Sequence, residues 1–190
     1  MNHFQQIADR LEQHHLDAML LTGEANRFYA SGFHSSGNDG AALVTKDKCY
    51  YFTDSRYTEA AGRQVHNAEI REIGRGRGYT VLTGEVVAAH GILRMGFEES
   101  YMTVQEYETF RAALPCQLVP AAALLRELRS VKDEAEIEQL VAAQRIAERA
   151  LEEILGEIRP AVTERGIAAR LQYLMLHYGT EQMSFDPIVV

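Results

Sequence analysis

Seven histidines and two cysteines are the first places to look for metal or nucleophile chemistry in this 190-residue chain. His14 and His15 are adjacent, so on a helix they point about 100° apart and cannot face one ion together. There is no His-Glu-x-x-His, and no carboxylate stands at a supporting interval from His66, His90 or His177. Cys49 and Cys116 are far apart and make no Cys-x-x-Cys, so they read as reduced, buried small hydrophobes. Gly-x-Ser-x-Gly, Gly-x-x-x-x-Gly-Lys and a helix-opening Gly-x-Gly-x-x-Gly are all missing from the sequence. Glu134, Glu136, Glu138, Glu148, Glu152 and Glu153 read as the solvated face of a helix. No catalytic residue and no metal ligand is assigned on this basis. Two segments hold more specific patterns. One is Asn26-Arg27-Phe28-Tyr29-Ala30-Ser31-Gly32-Phe33 with the later Phe52-Thr53-Asp54-Ser55-Arg56-Tyr57, and the other runs from Arg129 to Val190.

Composition narrows the class of partner. The formal charge is -8 and the pI about 5.4, a field that repels phosphate backbones, so nucleic acid is not expected. The one basic cluster, Gly74-Arg75-Gly76-Arg77-Gly78, reads as a surface loop. Hydrophobic residues make up 46% and charged residues 24%, the balance of a soluble globular protein. The N-terminal residues open an amphipathic pattern rather than a secretory segment, and no run approaches about 18 consecutive apolar residues. A cytoplasmic protein with no membrane span is expected.

The elements that must position these residues follow from periodicity. Phe4, Ile7, Ala8, Leu11 and His15 share one side of a first helix, and Leu16 to Leu21 reads as a buried strand. A short helix from Glu24 to Ser31 stops at Gly32. Ala41 to Thr45 and Cys49 to Thr53 form a hairpin across Lys46-Asp47-Lys48. Helices at Tyr57 to Val65, Tyr79 to His90 and Thr103 to Ala113 alternate with strands at Glu69 to Ile73, Leu93 to Phe97 and Gln117 to Val119, an α/β half with a mixed sheet. Leu124 to Arg129 is a connecting helix. A long helix then runs from near Asp133 to before Pro160, about 39 Å, too long to stand without a sheet or helix behind it. Thr163 caps a further helix that Gly179 stops, and Phe185 to Val190 reads as the start of a strand.

The first segment resembles the N-terminal domain of the creatinase, prolidase and aminopeptidase P group, where Asn-x-x-Tyr-x-x-Gly-Phe precedes a hairpin ending in Thr-Asp-x-Arg-Tyr. The second, with Arg129-Ser130-Val131-Lys132-Asp133-Glu134, Arg159-Pro160, Thr163-Glu164 and Ser184-Phe185-Asp186-Pro187-Ile188-Val189, resembles the start of the pita-bread metallopeptidase domain of the same group. The resemblance implies three segments. Residues 1–120 are a creatinase/prolidase-type domain with a mixed sheet flanked by helices, 121–130 a linker helix, and 131–190 the first helices and strand of an incomplete pita-bread α+β domain. It implies hydrolysis of the bond before proline in proline-containing peptides, by a homodimer with a dinuclear manganese, cobalt or zinc centre in the full-length parent. The group's ligands, two aspartates, a histidine and two glutamates, lie C-terminal to the Phe-Asp-x-Ile-Val strand. This chain is therefore expected to bind no metal itself and to be inactive alone, supplying substrate access and dimerisation. Phe33, His34, Arg56 and Tyr57 are the substrate-proximal candidates the resemblance implies, acting across the dimer interface. From the residues alone, Asp54 and Arg56 read first as a structural corner and only second as a substrate contact.

One departure stands out. Where relatives carry glycine after Arg-Pro, this chain has Ala161, which costs about 1 kcal/mol if that position takes a positive φ. Two other readings remain in competition: a non-catalytic peptide- or protein-binding module of the same fold, and a creatinase-like amidinohydrolase.

Overall fold

The computed structural model describes residues 3–190, which fall into two compact units that divide between Val131 and Lys132. The first unit is built on a six-stranded mixed sheet because its central strands are apolar on both faces and need helices on each side. In chain order its elements are α1 (Phe4–Leu11), β1 (Ala18–Leu21), α2 (Glu24–Ser31), β2 (Gly40–Thr45), β3 (Cys49–Thr53) and α3 (Thr58–Gln64). There follow β4 (Glu69–Glu72), α4 (Tyr79–His90), β5 (Arg94–Phe97), α5 (Val104–Ala113), β6 (Gln117–Pro120) and α6 (Ala122–Ser130). The strand order is β4-β3-β2-β1-β5-β6, antiparallel at β1/β2 and β2/β3 and parallel elsewhere.

Alternation along the central strands divides two cores. Met19 and Leu21, Ala42 and Val44, and Tyr51 face Phe4, Ile7 and Leu11 of α1 and Leu124 and Leu125 of α6. Ala18 and Leu20, Ala41 and Leu43, and Tyr50 and Phe52 face Leu82 and Val86 of α4 and Phe110 of α5. The edge strands β4 and β6 are short, and each carries a charged or proline residue that discourages further pairing.

Two sequence expectations are corrected in this unit. His15 does not share the buried side of α1. The helix leaves its α geometry at Leu11, a 3-10 turn covers Glu12–His14, and His15 takes a left-handed φ of 54° and is exposed. The strand expected from Leu16 begins at Ala18. The helix that leads to the second unit packs on the first, with Leu124 and Leu125 each 1% exposed.

The second unit is a helix pair, α7 (Glu134–Leu155) and α8 (Glu164–His177). Asp133 opens α7 with a reciprocal capping box, accepting from the Glu136 amide at 2.8 Å while Glu136 accepts from the Asp133 amide at 3.0 Å. Thr163 caps α8 by accepting from the Gly166 amide at 3.1 Å. Ala150 and Ile154 of α7 meet Leu174 of α8, flanked by Ile167, Leu171, Met175 and Tyr178. α7 is shorter than expected and stops at Leu155, because Gly156 follows and the next amides bond back in tighter turns, Gly156 to Glu153 and Glu157 to Ile154. Residues 185–190 do not form the expected strand. No other segment of this unit runs beside them to share a ladder, and Phe185 and Ile188 stand 72% and 85% exposed.

Candidate functional site

The site grows from the turn between α2 and β2. Gly32 ends α2 with φ 69° and its amide returns to the Phe28 carbonyl at 2.7 Å, which turns the chain so that Phe33 drops into the core. Phe33 is 3% exposed, with Tyr51 edge-on at 5.7 Å and Tyr57 at 6.2 Å. The following loop, residues 34–39, is clamped from beneath by Arg27. This side chain is 1% exposed and donates to the carbonyls of Thr22, Ser35 (3.0 Å) and Gly37 (2.6 Å). A buried guanidinium is tolerated because its rigid fork meets several carbonyl dipoles at once, which a lysine ammonium cannot do with the same geometry. Ser35 Oγ and Tyr51 Oη lie 2.8 Å apart at the same spot. A Cβ on Gly40 would lie 2.9 Å from Tyr51 Oη and 3.0 Å from Ser35 Oγ, so glycine is required there by close approach.

The outer side of the loop is tied by Glu24 in the first turn of α2. Its Oε2 accepts from the Gly37 amide at 3.0 Å and its Oε1 lies 3.4 Å from His34 Nδ1. His34 is exposed, with its ring 5.8 Å from that of Phe28.

α2 itself is anchored by Glu98, 0% exposed, at the end of β5. Its carboxylate accepts from the amides of Thr22 (2.5 Å) and Gly23 (2.9 Å) and from Asn26 Nδ2 (2.5 Å), placing a negative charge at the positive end of the helix. The other end of the Asn26 amide accepts from Arg129 Nη1 at 2.8 Å, which fixes its orientation.

A second group caps the end of β3. Arg56 donates to Asp54 through Nε (3.0 Å) and Nη2 (2.7 Å) and to Asp39 through Nη2 (2.6 Å). Its guanidinium also stands 5.3 Å from the Tyr57 ring centroid, and Tyr57 Oη donates to Asp39 at 3.3 Å. The Arg56 hydrogen bond holds the Asp54 carboxyl below the usual carboxylate range, and the two carboxylates raise Arg56 in turn. Tyr79 at the start of α4 is pushed up to about 12, first by burial and then by the Asp54 and Asp39 charges. The cluster is an exposed guanidinium braced by two carboxylates, and it holds no nucleophile paired with a base. Taken separately, neither unit gathers three His, Cys, Asp or Glu ligand atoms within 4.8 Å among the described residues.

The family model of the creatinase/prolidase N-terminal domain matches residues 4–131. The chain belongs to the creatinase/prolidase family. Residues 138–190 match metallopeptidase family M24. An uncharacterized peptidase of Bacillus subtilis, YqhT, is 37% identical over 175 residues, covering 92% of this chain and 48% of that protein. The solved structure of an Xaa-Pro dipeptidase from Bacillus anthracis superposes with a TM-score of 0.88 at 30% identity over 96% of this chain and 50% of that one. An X-Pro aminopeptidase from Thermotoga maritima superposes at 0.85 with 31% identity over 94% and 51% of the two chains. The chain spans about half the length of the curated relatives it matches.

Within this creatinase/prolidase domain the four candidates separate. Arg56 and Tyr57 come together on Asp39, His34 lies on the outer side of the loop, and Phe33 is core. The Asp54–Arg56 pair expected from the sequence is present. Sequence reasoning missed Arg27, Asp39, Tyr79 and Glu98. Arg27 and Asn26 stood inside the motif, but nothing in a linear pattern shows that Arg27 turns inward. Glu98 is a lone acid after a strand, and only the tertiary fold brings it to α2.

Proposed function

We propose that this chain is the N-terminal half of a metal-dependent Xaa-Pro aminopeptidase or dipeptidase of the cytoplasm. Its first unit shapes access for proline-containing peptides and takes part in a homodimer. The observation that carries the reading is the two family matches in order, residues 4–131 and then 138–190, in a chain that aligns with about half of an Xaa-Pro dipeptidase. The clamped loop and the Arg56 cluster support a role near substrate for His34, Arg56 and Tyr57, with Phe33 acting from the core to set the turn. A braced guanidinium suits the carbonyls or terminal carboxylate of a short peptide. Two free thiols, Cys49 and Cys116, suit a reducing compartment.

The metal, manganese, cobalt or zinc, belongs to the other half in this reading. Residues 138–190 hold one aspartate, Asp186, and one histidine, His177, so the two-aspartate, one-histidine, two-glutamate set cannot be gathered there. A chimera in which this chain replaces the matching half of the Bacillus anthracis enzyme tests the reading. It is expected to cleave an Xaa-Pro dipeptide with Mn²⁺ or Co²⁺ and to spare the corresponding Xaa-Ala dipeptide. A folded chimera that shows no preference for proline overturns it.

A further inference from the structure

Arg27 and Glu98 are both sealed inside the first unit, at 1% and 0% exposure, and a single peptide group stands between them. The Thr22–Gly23 peptide donates its N–H to Glu98 Oε2 at 2.9 Å, and its carbonyl accepts from Arg27 Nη1. An anion at the N–H and a cation at the carbonyl polarise the group in the same sense, so each hydrogen bond strengthens the other. Two buried charges are thereby compensated through one dipole.

The chain of bonds continues from both charges. Beyond Arg27 lie the carbonyls of Ser35 at 3.0 Å and Gly37 at 2.6 Å, in the loop 34–39 that carries His34 and Asp39. Beyond Glu98 lies Asn26 Nδ2 at 2.5 Å, and Asn26 Oδ1 accepts from Arg129 Nη1 at 2.8 Å. The Asn26 amide serves both partners in one orientation alone, its nitrogen toward the carboxylate and its oxygen toward the guanidinium. Gly23 leaves no slack, since a Cβ there would lie 2.7 Å from Glu98 Oε1 and 2.9 Å from Tyr101 Cγ. Arg129 is exposed in the last turn of α6, two residues before the first unit ends at Val131. One end of the chain of bonds is thus at the exit of the unit and the other lies beneath the loop.

We propose that Arg129, Asn26 and Glu98 are positioning residues for the loop 34–39, acting through the Thr22–Gly23 peptide and Arg27 to set where His34 and Asp39 stand. The consequence for activity rests on the function proposed above, which places His34 near substrate together with Arg56 and Tyr57, both held by Asp39. A displaced loop weakens substrate binding and leaves the reacting groups alone, so the effect falls on KM.

Arg129→Met, at an exposed position, removes the outermost donor. In the 190-residue chain it is expected to speed hydrogen exchange at the Gly37 and Asp39 amides about tenfold, the size of one charge-assisted hydrogen bond, with the β2 and β3 amides unchanged. In the fused chimera it is expected to raise KM for an Xaa-Pro dipeptide about tenfold with kcat within about twofold. Arg129→Lys still donates to Asn26 and is expected to recover most of both changes. Gly23→Ala displaces Glu98 from the other side of Asn26 and is expected to reproduce them. Unchanged loop exchange, exchange that quickens equally across β2 and β3, or no recovery with lysine overturns the proposal. So does an active chimera in which the loop loosens and KM does not change, or in which the loss is confined to kcat. A parent chimera that cleaves no Xaa-Pro bond counts against the peptidase reading, while exchange confined to the loop still upholds its positioning from Arg129.

Discussion

Arg27 has more bearing on the site than any residue the motif advertises. Its guanidinium is the common support of Thr22, Ser35 and Gly37, and the loop that carries His34 and Asp39 has no comparable support from below. Arg27→Met keeps the bulk and removes the donors, leaving buried carbonyls unpaired. It is expected to lower the stability of the first unit by about 3 kcal/mol, measured by urea unfolding. The exposed Arg56 makes a smaller and pH-dependent contribution. The folded pKa of Asp54 lies below its unfolded value because Arg56 hydrogen-bonds it. Its stabilisation is thus present above the unfolded value of about 4 and lost as pH falls through the lower folded one. Arg56→Ala is expected to flatten this part of the acid limb in a series of melting temperatures below pH 5, and an unchanged limb would show that the pairing does not matter to folding. The Asp54–Arg56 pair was legible in the sequence because its partners are two residues apart. Arg27 to Gly37 and Glu98 to Asn26 were not, because a buried charge is recognised only by the dipoles that the fold collects around it.

Among the elements, those with a local cause were the most legible. α2 has Gly32 to end it, and the β2/β3 hairpin has a three-residue turn, with Thr45 Oγ1 accepting from the Lys48 amide at 3.0 Å. Thr163 was readable as a cap because its bond to Gly166 closes within one turn. Errors fell where tertiary context decides: His15 at the exit of α1, the length of α7 past Gly156, and residues 185–190, which have strand-like composition and no strand beside them in the second unit. Ala161 is a departure whose consequence the structure makes definite, since it takes φ 78° between α7 and α8. Ala161→Gly relieves that strain and is expected to stabilise the second unit by about 1 kcal/mol, read as a higher melting temperature in a probe confined to α7 and α8. A lower melting temperature would mean that the extra freedom of glycine in the unfolded chain outweighs the strain.

On the scale of the molecule, the two units differ in how far each completes a core. The first buries both faces of a six-stranded sheet, and the second buries three side chains and leaves Ile137, Leu140, Val141, Leu151 and Leu155 half exposed or more. The two units coincide with the two family matches, residues 4–131 and 138–190, in a chain that spans about half the length of the curated relatives it matches. Fold and family were legible because two separated motifs occur in the right order. The chemistry was not, because no motif of the sequence assigns a catalytic residue or a metal ligand. The direct measurement is Mn²⁺- or Co²⁺-dependent hydrolysis of an Xaa-Pro dipeptide, assayed side by side for this 190-residue chain and for the chimera that restores a complete M24 domain. No turnover by the chain and proline-selective turnover by the chimera are predicted. Robust metal-dependent turnover by the chain alone, or a folded chimera that hydrolyses nothing, would contradict the account.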